Sequence, residues 1–128
     1  MFSEGKIVSL MYRVSNFEEA AVFLKEIKAQ IASNGIIFMN GRVKNTQSLA
    51  NLGISLAIQK EIINDLIATD YCGGPEQDEK YNWKVVAVFG YNYFGTELYI
   101  KFSIGVEGTP VVCLSFHESE HPMRYQFK

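Results

Sequence analysis

In the last third of the chain the hydrophobic period drops to two, and this constrains everything before it. The stretches "WKVVAVFG" (83–90), "TELYIKFSI" (96–104) and "VVCLSFH" (111–117) alternate apolar and polar residues, the pattern of half-buried strands. They are joined by "YNYFG" (91–95) and "GVEGTP" (105–110), both turn-like. Three consecutive strands with short connections form an antiparallel meander. Its apolar face has to be covered by a second layer.

The first half supplies that layer. "SNFEEAAVFLKEIKAQIASNG" (15–35) carries Phe17, Ala20, Leu24, Ile27 and Ile31 at three- and four-residue steps, which predicts an amphipathic helix. Ser15 or Asn16 can cap it, Ser15 and Glu18 have capping-box spacing, and Asn34-Gly35 is a stop. "IIFM" (36–39) is expected to be a short strand or extended segment. "TQSLANLG" predicts a short helix capped by Thr46, and "SLAIQKEIINDLI" a further one capped by Ser55, burying Ile58, Ile62, Ile63, Leu66 and Ile67. Residues 69–82, "TDYCGGPEQDEKYN", predict a long loop. The expected fold is α+β: N-terminal helices packed on a small antiparallel sheet with a C-terminal three-stranded meander. There are no repeats, and 128 residues make a single domain over 1–128.

Charge narrows the function classes. Twelve Lys and Arg stand against fourteen Asp and Glu, and the excess acid falls wholly within 76–128. Non-specific binding to nucleic acid through massed cations is therefore disfavoured, although a pocket with two or three cations is not. Cys72 and Cys113 have no repeated spacing and are expected to be free thiols. "MFSEGKIVSLMYRV" makes a poor signal peptide and no stretch approaches a membrane span, so a cytoplasmic location without membrane association is expected.

Both histidines lie in "CLSFHESEH" (113–121). Alternation puts Leu98, Ile100, Phe102 and Ile104 on one face of the middle strand, with Glu97, Tyr99, Lys101 and Ser103 on the other. In the last strand it puts Val112, Leu114 and Phe116 on the core face, and Cys113, Ser115 and His117 opposite. Antiparallel partners point the same way. The tightest register for the 105–110 turn pairs Ile104 with Val112, Ser103 with Cys113, Lys101 with Ser115, and Tyr99 with His117; a shift by two instead sets Glu97 opposite His117 and Tyr99 opposite Ser115. A polar sheet surface thus collects Tyr, Lys, Ser and His. A merely solvated face is the plainer account of such a surface.

The possible chemistries can be separated. His117 and His121 have helical ligand spacing, but the segment is strand-like and Pro122 keeps His121 extended. Four extended residues span roughly 13 Å, too far for one zinc, so no metal is expected. Cys113 and Ser115 lack an evident oxyanion hole. "CGGPE" lacks the phosphate-loop spacing, and no cofactor site is expected. His117 with Tyr99 and Lys101 is left as an acid–base set suited to ribonuclease chemistry: a base on the 2′-OH, a cation on the phosphate, an acid on the leaving 5′ oxygen. The product is a 2′,3′-cyclic phosphate. Lys84, Ser115 and Arg124 are the candidate substrate-binding residues. His121 is expected in a turn into the tail.

The order "SLANLGI", "EIINDLIATDY", Trp83, "VFG", "ELYIKFSI" and "CLSFH" resembles the motility quorum-sensing regulator (MqsR) family of toxin–antitoxin ribonucleases, over roughly residues 20–117. The resemblance implies a RelE-like fold and a metal-independent mRNA interferase acting on RNA and neutralised by a cognate antitoxin protein. The family's strand tyrosine falls on Tyr99 and the lysine after it on Lys101. The final-strand lysine falls on His117, the glutamine after the tryptophan on Lys84, and the lysine after "DY" on Cys72 and Gly73. A non-catalytic module of the same fold, acting through a protein partner, is the alternative. A third possibility is an interaction edge at "YNYF" (91–94), residues expected to fold onto the sheet.

Overall fold

The computed structural model describes residues 13–81 and 83–128. Among these residues there are three helices and one five-stranded mixed sheet, an α+β arrangement. In chain order the elements are α1 (Phe17–Asn34), β1 (Ile36–Phe38), α2 (Val43–Leu52), α3 (Leu56–Asp65), a 3-10 turn (Ala68–Asp70), β2 (Tyr71–Gln77), β3 (Val85–Tyr93), β4 (Thr96–Ile104) and β5 (Val111–Glu118). The strands lie in the order β1-β5-β4-β3-β2. The meander β3–β4–β5 is its centre. Two further strands flank it: β1, where a short strand or extended segment is expected, runs parallel to β5, and β2, in the segment expected to be a loop, runs antiparallel to β3. Among the described residues no helix is long and apolar enough to cross a membrane.

The 69–82 segment departs furthest from expectation. Tyr71–Gln77 is a strand, not a loop. Its Gly and Pro residues occupy two register shifts, between Tyr71 and Gly73 and between Gly73 and Glu76, where a bulge tolerates them. Gly74 has φ 98°, and a side chain there would strike the Val86 carbonyl and the Ala87 backbone. Tyr71 is buried, and its ring meets Phe23 and Phe89 edge-on.

Asn16, not Ser15, caps α1: its Oδ1 accepts from the Glu19 amide at 2.8 Å, and Glu19 accepts from the Ser15 amide at 2.7 Å. Asn16 is the second of the two expected caps, and the three-residue spacing falls on Asn16 and Glu19 in place of Ser15 and Glu18. Ala20, Phe23, Leu24 and Ile27 are buried, whereas Phe17 is exposed. The stripe also includes buried Gln30, whose Nε2 donates to the carbonyls of Val106 and Thr109 and so ties α1 to the β4–β5 turn. α2 begins at Val43 with Arg42 at its N-cap, so Thr46 lies inside the helix and donates instead to the Asn40 carbonyl. Ser55 caps α3 as expected, accepting from the Ile58 amide; Ile62, Ile63 and Leu66 are buried and Ile67 is exposed.

The core lies between these helices and one sheet face, formed by Val85, Ala87, Phe89, Leu98, Ile100, Phe102, Ile104, Val111, Cys113 and Phe116. The β3–β4 hairpin closes on Phe94-Gly95, with φ 50° and 92°, a two-residue turn with both central residues left-handed. Phe94 does not fold onto the sheet; it is 92% exposed.

Candidate functional site

On β4 and β5 the register holds as expected where it matters. Tyr99 pairs with His117 and Lys101 with Ser115. Beyond Lys101 the ladder slips: Phe102 pairs with Cys113 and Ser103 with Val112. Leu114 is the extra residue of a β-bulge. The slip reverses the faces upstream of it. Val111 and Cys113 turn into the core, and Cys113 does not share a face with His117. Its thiol is 1% exposed, and burial pushes its pKa up to about 12.

The bulge is held from the edge by α2. β1 pairs with β5 only as far as Cys113. Beyond that point the helix stands in for a strand. Asn45, buried, donates from Nδ2 to the carbonyls of Met39 (2.8 Å) and Leu114 (3.1 Å), and its Oδ1 accepts from the Phe116 amide at 3.0 Å. Arg42 also donates to the Leu114 carbonyl, and Ser48 Oγ accepts from the Glu118 amide. Asn45 and Ser48 lie three apart, on one helix face. Backbone groups that an edge strand leaves open are thereby satisfied.

The remaining sheet face is partly covered at both ends. At one end, residues 119–128 cross as an extended strap. The Ser119 amide donates to the Glu97 carbonyl and the Met123 amide to Glu97 Oε1; the Gln126 amide donates to the Tyr71 carbonyl. Phe127 stacks on Tyr71 at 5.7 Å, and Tyr125 lies over Gly90 so closely that a Cβ there would come within 2.5 Å of its hydroxyl. Burial, then its hydrogen bond to Glu97, push the Tyr125 phenol up. At the other end Asp78 reaches Ser103. Asp78 accepts from the amides of Lys80 and Tyr81 and from the Ser103 hydroxyl.

Between these covers lie Tyr99, Lys101, Ser115 and His117, all half-buried. The rings of Tyr99 and His117 stack at 5.3 Å, 25° apart. Burial, then the nearby Cys72 sulfur, raise the Tyr99 pKa, so its phenol stays protonated through the neutral range. His117 Nδ1 lies 2.9 Å from the Glu118 carbonyl. A carbonyl only accepts, so Nδ1 carries the hydrogen and Nε2 presents a lone pair in the neutral ring. Lys101 makes no ion pair among the described residues. A cleft of about 470 Å³ opens beside the ring pair, lined by Lys44, Tyr99, His117, His121 and Arg124.

Of the candidate residues, then, Tyr99, Lys101, Ser115 and His117 share one face, and the strap brings Arg124 to the cleft. Lys84 stands apart, at the 78–84 end beside Tyr81. Lys44 was not anticipated. It lines the cleft from α2, where its Nζ meets both carboxylate oxygens of Glu120 at 2.9 Å. A lone lysine on a polar helix face offers no sequence signal for this. No group of three or more His, Cys, Asp or Glu side chains able to hold a metal occurs among the described residues. No family model, no curated protein and no solved structure matches the chain.

Proposed function

We propose that the chain is a metal-independent endoribonuclease, an mRNA interferase toxin of a type II toxin–antitoxin system with a RelE-like arrangement. Its substrate is RNA and its inhibitor a cognate antitoxin protein. One observation carries the reading: a stacked Tyr99–His117 pair with the unpaired cation Lys101 two residues along the same strand and face. The resemblance of "ELYIK" and "SFH" to the motility quorum-sensing regulator toxins supports it.

In this reading His117 Nε2 takes the proton of a ribose 2′-OH, and the 2′ oxygen attacks the adjacent phosphorus. Lys101 offsets the charge gathering on the phosphate oxygens. The bond from phosphorus to the 5′ oxygen breaks, and that oxygen takes the Tyr99 phenolic proton. The product is a 2′,3′-cyclic phosphate, and water returns the proton from His117 to Tyr99. Ser115 and Arg124 bind the strand on either side, and no cofactor enters.

The test is cleavage of single-stranded RNA in EDTA with a cyclic-phosphate end, together with growth arrest on expression. Full toxicity in His117→Ala and Lys101→Ala rejects the site. A second reading, a non-catalytic module acting through a protein partner, is favoured by the 92% exposure of Phe94 at the hairpin tip. It requires a stable complex and no RNA cleavage.

A further inference from the structure

The far end of the open face carries a second cleft, of about 560 Å³, lined by Arg42, Lys80, Tyr81 and Lys84. The Tyr81 ring has the Lys80 ammonium 5.3 Å and the Lys84 ammonium 5.4 Å from its centroid, within cation–π range. Trp83 leans on Tyr81 at 5.1 Å and is 58% exposed. None of the three cations forms an ion pair among the described residues. Asp78, which also lines the cleft and feels the Lys84 charge, makes its hydrogen bonds to the Lys80 and Tyr81 amides and the Ser103 hydroxyl.

We infer that this cleft is a binding subsite for single-stranded nucleic acid, with a base stacked on Trp83 and the adjoining phosphate on Lys80 and Lys84. An exposed aromatic face flanked by cations is what a single strand needs, since every base has a π-face and every link a negative charge. A buried protein interface has no comparable use for two ammonium groups on one ring. Ser103, hydrogen-bonded to Asp78, and Tyr99 lie four residues apart on the same face of β4, roughly 13 Å along the strand, with Lys101 between them. A strand held at Trp83 therefore runs along the face toward the Tyr99–His117 pair. The inference deepens the ribonuclease reading and rests on it for the direction of the strand.

Trp83 is the chain's one tryptophan and touches the cleft through Tyr81, so its fluorescence reports on this edge of the cleft. The probe is a short oligodeoxynucleotide, which lacks the 2′-OH and cannot be cut. We expect saturable quenching that weakens as salt is added, with a slope of about −0.7 per phosphate contact. Lys80→Ala/Lys84→Ala lowers affinity at least tenfold and flattens that slope, and Lys25→Ala, at an exposed position on α1, binds as the parent does. Trp83→Ala, followed by the anisotropy of a labelled oligonucleotide, weakens binding by roughly five- to a hundredfold. Absence of quenching at low salt overturns the subsite, as does equal binding by the double variant or by duplex DNA. Quenching without any RNA cleavage leaves the subsite standing and removes the ribonuclease. RNA cleavage without quenching does the reverse.

Discussion

Tyr99 and His117 are direct cross-strand partners whose rings stack, 5.3 Å between centroids and 25° between planes. The contact follows from pairing across the ladder, where side chains on one face lie closest. It places a phenol kept protonated by burial against an imidazole whose Nδ1–H is fixed on the Glu118 carbonyl.

Tyr99→Phe keeps the stacking ring and loses the proton. RNA cleavage is expected to fall by about 10²- to 10⁴-fold, the range for loss of a general acid or base, with an unchanged denaturation midpoint. His117→Ala is expected to cut cleavage by a similar factor. Cleavage by Tyr99→Phe at the parent rate assigns the leaving-group proton to another donor.

The Asn45 amide is the joint that makes this pairing possible, because it holds the Leu114 bulge and the Phe116 amide. Asn45→Ala leaves buried backbone groups without partners and is expected to cost about 3 kcal/mol. Ser48→Ala removes only the acceptor for the Glu118 amide near the surface and is expected to cost about 1 kcal/mol or less. Urea denaturation of both variants checks the order. A midpoint for Asn45→Ala equal to that of Ser48→Ala rules out the helix as a substitute edge.

The same bulge marks the limit of what was legible in the sequence. The Tyr99–His117 and Lys101–Ser115 pairs followed from period-two alternation and the 105–110 turn. The slip at Leu114 did not, because "VVCL" (111–114) is apolar throughout and a change of phase within it leaves no trace in hydropathy. The helices were visible through their periodicity, with boundaries off by a few residues. The parallel pairing of Ile36–Phe38 with Val111–Cys113 has no local signature, since its partners lie far apart along the chain. Gly73, Gly74 and Pro75 mimic a loop because bulges and turns favour the same residues. The strap 119–128 looks like a solvated tail until Tyr125 and Phe127 are seen against Gly90 and Tyr71.

Gly90 is where that strap is most open to attack. A methyl group there lies 2.5 Å from the Tyr125 hydroxyl and 2.8 Å from two of its ring carbons, so Gly90→Ala must displace the ring. The expected cost is about 1–3 kcal/mol, with the strap lifted and the exposed Arg124 more accessible. Trypsin is expected to cut after Arg124 faster in Gly90→Ala than in the parent, as read by mass spectrometry. Equal rates show that the ring does not anchor the strap.

Cys72 lies beneath the same strap, its carbonyl accepting from Gln126 Nε2 at 3.2 Å. Burial is the main reason its pKa is pushed up to about 11, and the Glu97 and Asp70 carboxylates add to it. Because the thiolate is the nucleophile, iodoacetamide at pH 8 is expected to react roughly a hundredfold or more slowly than with an ordinary thiol of pKa about 8.5, and the rate should climb toward pH 11. The unfolded chain ionises this thiol first. Folding stability from this group is therefore intact below about pH 8.5 and declines as the pH rises from there to about 11; Cys113, pushed up to about 12, acts in the same direction. Gly90→Ala, by lifting the strap, is expected to speed Cys72 alkylation while leaving Cys113 protected in the core. Cys72 reactivity that matches a free thiol in the parent protein contradicts the burial of its sulfur beneath residues 119–128.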